Sequence, residues 1–208
     1  MRVWFLALLT LWVGAALAQQ DRGALATAVE GKVWRVQGVE KRPLEAFERL
    51  EAGERLSLDK EARLTLVFFL TGQQERYAGG GELEIGSGEG VSRGLAPPEV
   101  KKLPDYLVKQ IARTPTLLAQ GRGGGMRLRA IATPEAIAKV DNTYKRLRME
   151  SAPGDLNPDM YRLSALFEMK AFDALEVALG ELETSRPNDS EAKVLAALYR
   201  KAVKNALR

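Results

Sequence analysis

The 208-residue chain contains no cysteine and no histidine, and these two absences exclude most familiar catalytic chemistry. Without histidine there is no Ser-His-Asp triad, and without cysteine there is no thiol nucleophile. Zinc sites draw most of their ligands from the same two residue types, so nearly all zinc chemistry is excluded as well. An enzyme built on this chain has only carboxylates, Lys, Tyr, Ser and Thr to use. We predict no catalytic residue, no metal site and no cofactor.

The first eighteen residues have the pattern of a cleavable secretory signal. Arg2 gives a positive start, an apolar run extends from Val3 to Leu17, and Ala16-Leu17-Ala18 places small side chains where signal peptidase reads them. We predict cleavage after Ala18 and a periplasmic or extracellular protein of 190 residues. The alternative is an uncleaved membrane anchor, because a spanning helix needs about 20 residues. A lipoprotein is excluded, since lipidation at this boundary requires a cysteine.

The charge of the chain is too balanced for a nucleic-acid binder. There are 31 basic and 27 acidic residues, and removal of Arg2 with the signal leaves 30 against 27, or +3. The local basic groups have no aromatic residues between them to act as a stacking platform, so we interpret them as solvated faces. We predict protein partners and no nucleic acid, with no stable membrane insertion after cleavage. The basic groups are Lys101-Lys102, Arg122 with Arg127 and Arg129, and Lys145-Arg146 with Arg148.

The segment 24–93 has the pattern of short β-strands. Lys32 to Val36 is bracketed by glycines, and Ala62 to Phe69 alternates before it becomes wholly apolar. Gln74 to Tyr77 reads as a polar return strand, followed by a further alternation. Strands at about ten-residue spacing predict a small all-β domain, which is a sandwich, a barrel or a solenoid. Leu44 to Leu50 interrupts the pattern, as a single helical turn or a loop.

Small and apolar positions in this segment follow a family pattern. They are Gly31 with Val33 and Val36, Leu50-x-x-Gly53 leading to Leu56 and Leu58, then Ala62, Leu64 and Leu66, the Gly72 turn, and Leu83 with Ile85. In this order the segment resembles the FecR domain of bacterial envelope proteins. The resemblance implies a periplasmic β domain that takes part in protein contacts. The best-known members carry a cytoplasmic segment and a membrane span before the domain, so their sigma-factor regulation is not transferred to this chain. Any other small secreted β domain is the alternative.

Residues 94–132 have the composition of a connector, rich in proline and glycine. Pro104-Asp105 can open one short helix with Leu107, Val108 and Ile111 on one side, which ends before Thr114-Pro115. The glycine cluster at 121–125 lacks the Gly-Lys-Ser or Gly-Lys-Thr ending of a phosphate-binding loop. We interpret the cluster as a hinge.

From residue 133 the apolar period becomes helical, and residues 133–208 predict a helical hairpin or bundle. Thr133-Pro134-Glu135 and Asn157-Pro158 are helix starts, a third helix begins near Asp173, and the last begins at Asp189 or Ser190. The predicted fold class is therefore α+β, with a small all-β N-terminal domain followed by helices.

Asp155, Asn157 and Asp159 imitate the first ligands of a calcium loop. A loop of the EF type requires glycine at its sixth position and glutamate at its twelfth, and this chain has Met160 and Leu166 there. We therefore interpret the three residues as helix-capping groups.

The run from Tyr161 to Tyr199 resembles one degenerate tetratricopeptide repeat. Tyr161, Leu163 and Leu166 lie on one helix, Phe172-Asp173-Ala174-Leu175 opens the next, and Pro187 closes it. The spacing from Ala174 to Pro187 is one residue longer than usual, so a generic helical hairpin is an equal alternative. The resemblance implies protein binding. One repeat cannot bury a continuous core alone, so this one must rest on the helix from Thr133, on the β domain or on a partner.

Three functional hypotheses follow from these patterns. The first is a non-enzymatic scaffold or adaptor of the bacterial envelope, whose β domain and helical segment each contact partner proteins. The second is a module that binds cell-wall glycan, with Trp34 and Tyr77 as stacking residues. The third is a carboxylate-based hydrolase with two acids facing across a cleft. Possible partner contacts, for which core packing is the alternative use, are Trp34, Tyr77, Tyr161, Phe167, Phe172 and Tyr199.

Overall fold

The computed structural model describes residues 23–116 and 132–208, in which ten strands precede five helices. This order confirms the predicted α+β class with a β-rich N-terminal part. The predicted signal, its cleavage site and the glycine cluster at 121–125 lie outside the described residues. The strands are β1 (Gly23–Glu30), β2 (Val33–Gln37), β3 (Glu40–Pro43), β4 (Arg49–Glu51), β5 (Arg55–Leu58), β6 (Arg63–Phe68), β7 (Gln73–Ala78), β8 (Gly81–Ile85), β9 (Gly90–Arg93) and β10 (Glu99–Lys102). The helices are α1 (Asp105–Ile111), α2 (Pro134–Glu150), α3 (Asn157–Glu168), α4 (Phe172–Ser185) and α5 (Ser190–Ala206).

The strands form a sandwich of two five-stranded antiparallel sheets. We name the sheet with strand order β10-β7-β6-β1-β4 sheet A, and the sheet with order β3-β2-β5-β8-β9 sheet B. Alternate residues of each strand point inward and meet between the sheets, because side chains on a strand alternate faces. Leu64, Leu66 and Phe68 of sheet A pack there with Leu56 and Leu83 of sheet B. Of the three predicted β architectures, the sandwich is the one observed.

The helices form a third layer on the outer face of sheet A. Leu25 and Val67 point away from sheet B and join the helical side chains in one apolar cluster. This explains why β6 becomes wholly apolar: a strand buried on both faces has no reason to alternate with polar residues. Sheet A is therefore the middle layer of the molecule.

The interruption at Leu44 to Leu50 is a loop that leads into β4, and it joins the two apolar clusters. Leu44 is buried between the sheets, whereas Ala46 and Phe47 are buried with the helices. Phe47 is fully buried and has a φ of 63°, a conformation that a bulky residue rarely adopts. Its N–H donates to the carbonyl of Ala26, which ties the loop to β1.

The predicted connector contributes to both parts of the fold. Its strand β10 pairs with β7 and extends sheet A to Lys102. Helix α1 covers Asp105–Ile111, where the sequence predicted a short helix, and its Leu107, Val108 and Ile111 are buried. Ile111 and its neighbours belong to the same apolar cluster as α3. The part of this segment up to residue 116 is thus folded against its surroundings.

Local capping fixes the starts of two later helices. The Thr133 hydroxyl accepts from the N–H of Ala136 at the start of α2, and the Asp189 carboxylate accepts from Ala192 at the start of α5. Helix α3 is central and contacts α1, α2, α4 and α5. The run from Tyr161 to Tyr199, which the sequence predicted as a repeat, therefore packs on α2, and its apolar side chains share a cluster with Leu25 and Val67 of sheet A. None of the helices in the described parts of the chain is long and apolar enough to cross a membrane.

Candidate functional site

The outer face of sheet B is a two-row surface that we name the Trp34 face. Residues paired directly across neighbouring strands point to the same side of a sheet, so the strand register identifies its members. Because Val33, Leu56 and Leu83 point inward, their neighbours in sequence point outward. One row is Pro43, Trp34, Ser57, Glu82 and Arg93, and the other is Lys41, Val36, Arg55, Glu84 and Val91.

All ten residues of the Trp34 face are exposed or partly exposed, so no described part of the chain covers it. Five of the ten are charged, and opposite charges face each other across the strands. Arg55 and Glu84 are paired in the register and lie 3.8 Å apart, and Glu82 is paired with Arg93. The face is therefore a charged, fairly flat surface with tryptophan in one row.

The indole of Trp34 makes no hydrogen bond, ring contact or cation–π contact with any residue that the structure describes. It belongs to neither apolar cluster. Its direct neighbours across the sheet are Pro43 and Ser57, which are too short to cover an indole ring. The partly exposed indole is thus available to a ligand.

The alternation in β2 is the reverse of the one hydrophobicity predicts, because Arg35 points inward and Trp34 outward. Arg35 Nη2 donates to the carbonyl of Arg49 at 2.7 Å and lies 3.5 Å from Glu48 and 3.3 Å from Glu54. Burial lowers the pKa of the Arg35 guanidinium and raises the pKa of the Glu54 carboxyl, and in each case the opposite charge of the other acts against the shift. This ionic cluster closes one end of the sandwich and holds Trp34 on the outside.

A second candidate site is a cleft of about 420 Å³ between sheet A and the helical layer. Its floor is the half of sheet A that the helices leave uncovered, with the ion pairs Arg63–Glu30 and Arg76–Glu99, each at 3.2 Å. The loop 152–156 and Glu191 line its other side. We name this space the interlayer cleft.

The loop 152–156 of the interlayer cleft is held in place by two arginines. Arg148 donates to the carbonyls of Ala152 and Asp155, and Arg186 donates to the carbonyl of Pro153. Both arginines also lie near the buried Asp159 carboxylate, at 3.2 and 3.8 Å. Burial raises the pKa of Asp159, and the two arginines oppose that shift. The cleft wall is therefore rigidly built.

Glu191 closes the interlayer cleft at strand β1. Its Oε1 accepts a hydrogen bond of 2.8 Å from the N–H of Val29. Strand β4 pairs with the first three residues of β1 and the preceding loop bonds to Ala26, so no strand in the described parts of the chain pairs with the end of β1 on that side. The carboxylate of Glu191 takes the place of the missing strand carbonyl. Burial raises the pKa of this carboxyl, and the hydrogen bond from Val29 opposes the shift.

The six predicted contact residues divide between interior and surface. Tyr77 and Tyr199 are fully buried and Phe167 nearly so. Tyr77 donates to Glu75 between the sheets at 2.5 Å, and Tyr199 shares a hydrogen bond of 2.5 Å with Ser164. These three side chains pack inside the protein, and burial raises the pKa of both tyrosines. Of the two alternatives that the sequence allowed, partner contact and core packing, these three residues have the second.

The other three predicted residues are Trp34, Tyr161 and Phe172, all partly exposed. The structure does not bring them together. Tyr161 packs edge to face on Tyr106 of α1, with ring centroids 5.9 Å apart, and Phe172 lies against Phe167. Trp34 is on the opposite side of sheet A from both, and it alone has no ring partner in the described parts of the chain.

The Asp155, Asn157 and Asp159 triplet has structural partners. Asp155 accepts from the N–H of Asn157 at 2.9 Å just before α3. The capping interpretation is wrong for Asn157 and Asp159, because both lie inside α3, whose N-cap residue is Leu156. Asn157 donates to Gln74 of sheet A at 2.9 Å, and Asp159 accepts from the Tyr144 hydroxyl. Within residues 23–116 and 132–208, no group of three or more acids is placed to hold a metal ion.

Sequence reasoning did not identify Glu191 or Gln74, whose polar bonds hold the helical layer on sheet A. Glu191 stands in the first turn of α5 and has the sequence signature of an ordinary first-turn acid. Gln74 was part of a strand described only as polar. Neither residue carries a local signal for a partner more than 80 positions away.

No family model matches this chain, and comparisons with curated proteins and with solved structures give no significant match.

Proposed function

We propose that the protein is a non-enzymatic adaptor of the bacterial envelope, exported by its N-terminal signal and bound to partner proteins through its β domain and its helical layer. The observation that supports this proposal is the continuous apolar cluster through which sheet A and the helices pack as one body. An adaptor needs binding surfaces held at a fixed distance and angle. Two domains joined by a flexible linker would not keep their binding surfaces at a fixed distance and angle.

The outer side of the helical layer is the first of these surfaces. Val177 on α4 is 60% exposed. Beside it Arg200 of α5 forms ion pairs with Glu176 and Glu183 of α4, at 3.1 and 2.7 Å. Arginine and exposed aliphatic groups together are typical of protein contact surfaces. The tetratricopeptide resemblance of this segment leads to the same expectation.

The free edge of sheet A is the second surface. Strand β10 ends the sheet, and all four of its residues are exposed, with Val100 at 56%. An edge strand offers unpaired backbone groups to an extended segment of another protein. Lys101 and Lys102 on this edge favour an acidic segment. The resemblance to the FecR domain, which implies protein contacts for the β domain, agrees with this assignment.

The acids of the interlayer cleft favour the adaptor over a hydrolase. Glu30 and Glu99 are in ion pairs, Asp155 accepts from Asn157, and Glu191 accepts from Val29. A catalytic acid and base must be free to exchange protons with a substrate. Each carboxylate in this cleft instead has a structural partner.

Site-specific photo-crosslinking in the native cell envelope tests the proposal. A photoreactive residue replaces Val177 in one chain and Val100 in another, and Val39, which is fully exposed in the β2–β3 turn, serves as the matched control. We expect one discrete protein product from each of the two surfaces and none from Val39. A chain with both probes should then yield a three-component product. Absence of discrete products at both surfaces contradicts the adaptor.

A further inference from the structure

We infer that the Trp34 face is a binding site for the glycan strand of the cell wall, with a sugar ring stacked on Trp34. The inference goes beyond the protein contacts of the adaptor and rests on the proposed location outside the cytoplasm. Together the two assignments place a partner protein at one side of the molecule and the wall at the other.

The state of the Trp34 side chain is the first reason. Tryptophan carries a large apolar surface and is usually buried or at an interface. Here the indole lies outside both apolar clusters and makes no polar or ring contact with the described residues. The ring is partly exposed, and a sugar ring stacked on it would remove the rest of its apolar surface from water. The Tyr77 side chain cannot share this role, because it is fully buried.

The neighbours of Trp34 in its row supply the second reason. A sugar ring has apolar C–H faces and hydroxyl groups around its edge, so it needs an aromatic plate flanked by hydrogen-bonding groups. Ser57, Glu82 and Arg93 continue the row from Trp34 across the sheet. They offer a hydroxyl, a carboxylate and a guanidinium, which include both donors and acceptors. The five positions of the row span about 19 Å at the usual strand spacing.

Charge distribution separates a glycan from a protein as the ligand of this face. The centre of a protein interface is depleted of charged residues and rich in apolar ones. The central strands β5 and β8 of the Trp34 face carry Ser57, Arg55, Glu82 and Glu84. Its apolar members lie in the strands to either side, and they are Pro43, Trp34, Val36 and Val91. This surface has no apolar centre for a protein to bury. A hydroxyl-rich strand can bond to the same charges without removing them all from water.

Retention on purified peptidoglycan tests the inference. We expect the full chain to be retained, and Trp34→Ala to lose at least about tenfold in affinity, the size of a lost stacking contact. Trp34→Phe keeps a ring and should retain most of the binding. Val91→Ser, a matched change of an exposed apolar residue on the same face, should leave retention unchanged. Circular dichroism and the unfolding midpoint establish that each variant is folded.

A direct measurement uses the indole as its own reporter. The emission of Trp34, taken as the difference between the native chain and Trp34→Phe, should shift when soluble N-acetylglucosamine tetramer is added. If Trp34→Ala does not fold, the exposed pair Glu82→Ala with Arg93→Ala tests the hydrogen-bonding half of the row and should weaken retention.

Three outcomes would overturn the inference. They are absence of retention by the native chain, equal retention by folded Trp34→Ala, and a Trp34-dependent protein crosslink from Val91 without glycan binding. None of these results affects the crosslinks from Val177 and Val100, so the adaptor and the glycan site fail independently.

Discussion

Sheets A and B have five strands each but differ in what covers their outer faces. Sheet A is covered on one face by sheet B and over part of the other face by the helices, and its central strand β6 carries buried residues at five consecutive positions. Sheet B is covered on one face, and its strands β5 and β8 alternate buried with more exposed residues. The comparison shows that apolar residues are concentrated in sheet A, whereas the outer face of sheet B remains accessible to ligands. A partly exposed tryptophan on the uncovered face of sheet B stands out for this reason.

Among the predictions, removal of the Phe47 side chain should cause the largest loss of unfolding free energy, because this residue joins sheet A to the helices. Phe47 is fully buried in the cluster shared by sheet A and the helices. Truncation of a buried phenylalanine typically costs about 3–5 kcal/mol, so we expect Phe47→Ala to lower the free energy of unfolding by that amount. Denaturant unfolding followed by circular dichroism measures it. Val39→Ala at a fully exposed position is the control and should change little. A loss below about 1 kcal/mol would show that Phe47 does not join the layers.

The buried hydrogen bond between Asn157 and Gln74 is expected to contribute less to the unfolding free energy than the Phe47 side chain does. Asn157 Nδ2 donates to Gln74 Oε1 across the same boundary, and both residues are buried. Asn157→Ala leaves the Gln74 oxygen unpaired, so we expect a loss of about 1–2 kcal/mol in unfolding free energy. In a Gln74→Leu background the same substitution should cost clearly less, because no acceptor is left behind. Equal costs in both backgrounds would mean that the bond does not couple the layers.

Most of the fold could be predicted because its signals are local. Thr133 and Asp189 show their capping roles in sequence, and the three apolar residues of α1 have helical spacing. Strand β10 was not predicted, because Glu-Val-Lys-Lys has a single apolar residue and lies in the proline-rich segment that we interpreted as a connector. It becomes a strand through its partner β7, and pairing between distant strands leaves no trace in a local window.

The candidate site could be predicted only as a list of residues. The sequence indicated both Trp34 and Tyr77 as stacking residues. In the structure the Tyr77 side chain is buried between the sheets. The direction of Trp34 depends on Arg35, which turns inward because Glu48, Glu54 and the Arg49 carbonyl receive it. Those partners come from a loop and a strand that follow β2 by more than ten residues. Side-chain direction was therefore a tertiary property here.

The hydrogen bond between the Val29 N–H of β1 and the Glu191 carboxylate of α5 should make the stability of the protein depend on pH. Burial raises the pKa of Glu191 in the folded protein, so the folded state binds this proton more tightly than the unfolded state does. Its contribution to stability is therefore present at low pH and is lost as pH rises through the folded pKa. We expect the unfolding free energy of the native chain, relative to Glu191→Gln, to fall as the pH rises above the ordinary glutamate pKa of about 4.3. Denaturant unfolding at several pH values measures this difference. A difference independent of pH would contradict the effect of burial.

The smallest expected effect concerns the turns of the two regions. In the β domain, glycine occupies the left-handed turn positions Gly31, Gly38, Gly53, Gly72 and Gly79, and Phe47 is a left-handed residue with a side chain. In the helical layer, Lys170 has a φ of 55° directly after α3. A left-handed conformation costs an ordinary residue about 1–2 kcal/mol, and glycine costs about 0.5–1 kcal/mol of chain entropy. Lys170→Gly should therefore raise the unfolding free energy by about 0.5 kcal/mol. The reverse change, Gly38→Ala at a φ of 63° with open space around it, should lower it by a similar amount. A thermal unfolding series with both variants decides the matter, since destabilisation by Lys170→Gly would show that the lysine contributes more than its backbone strain costs.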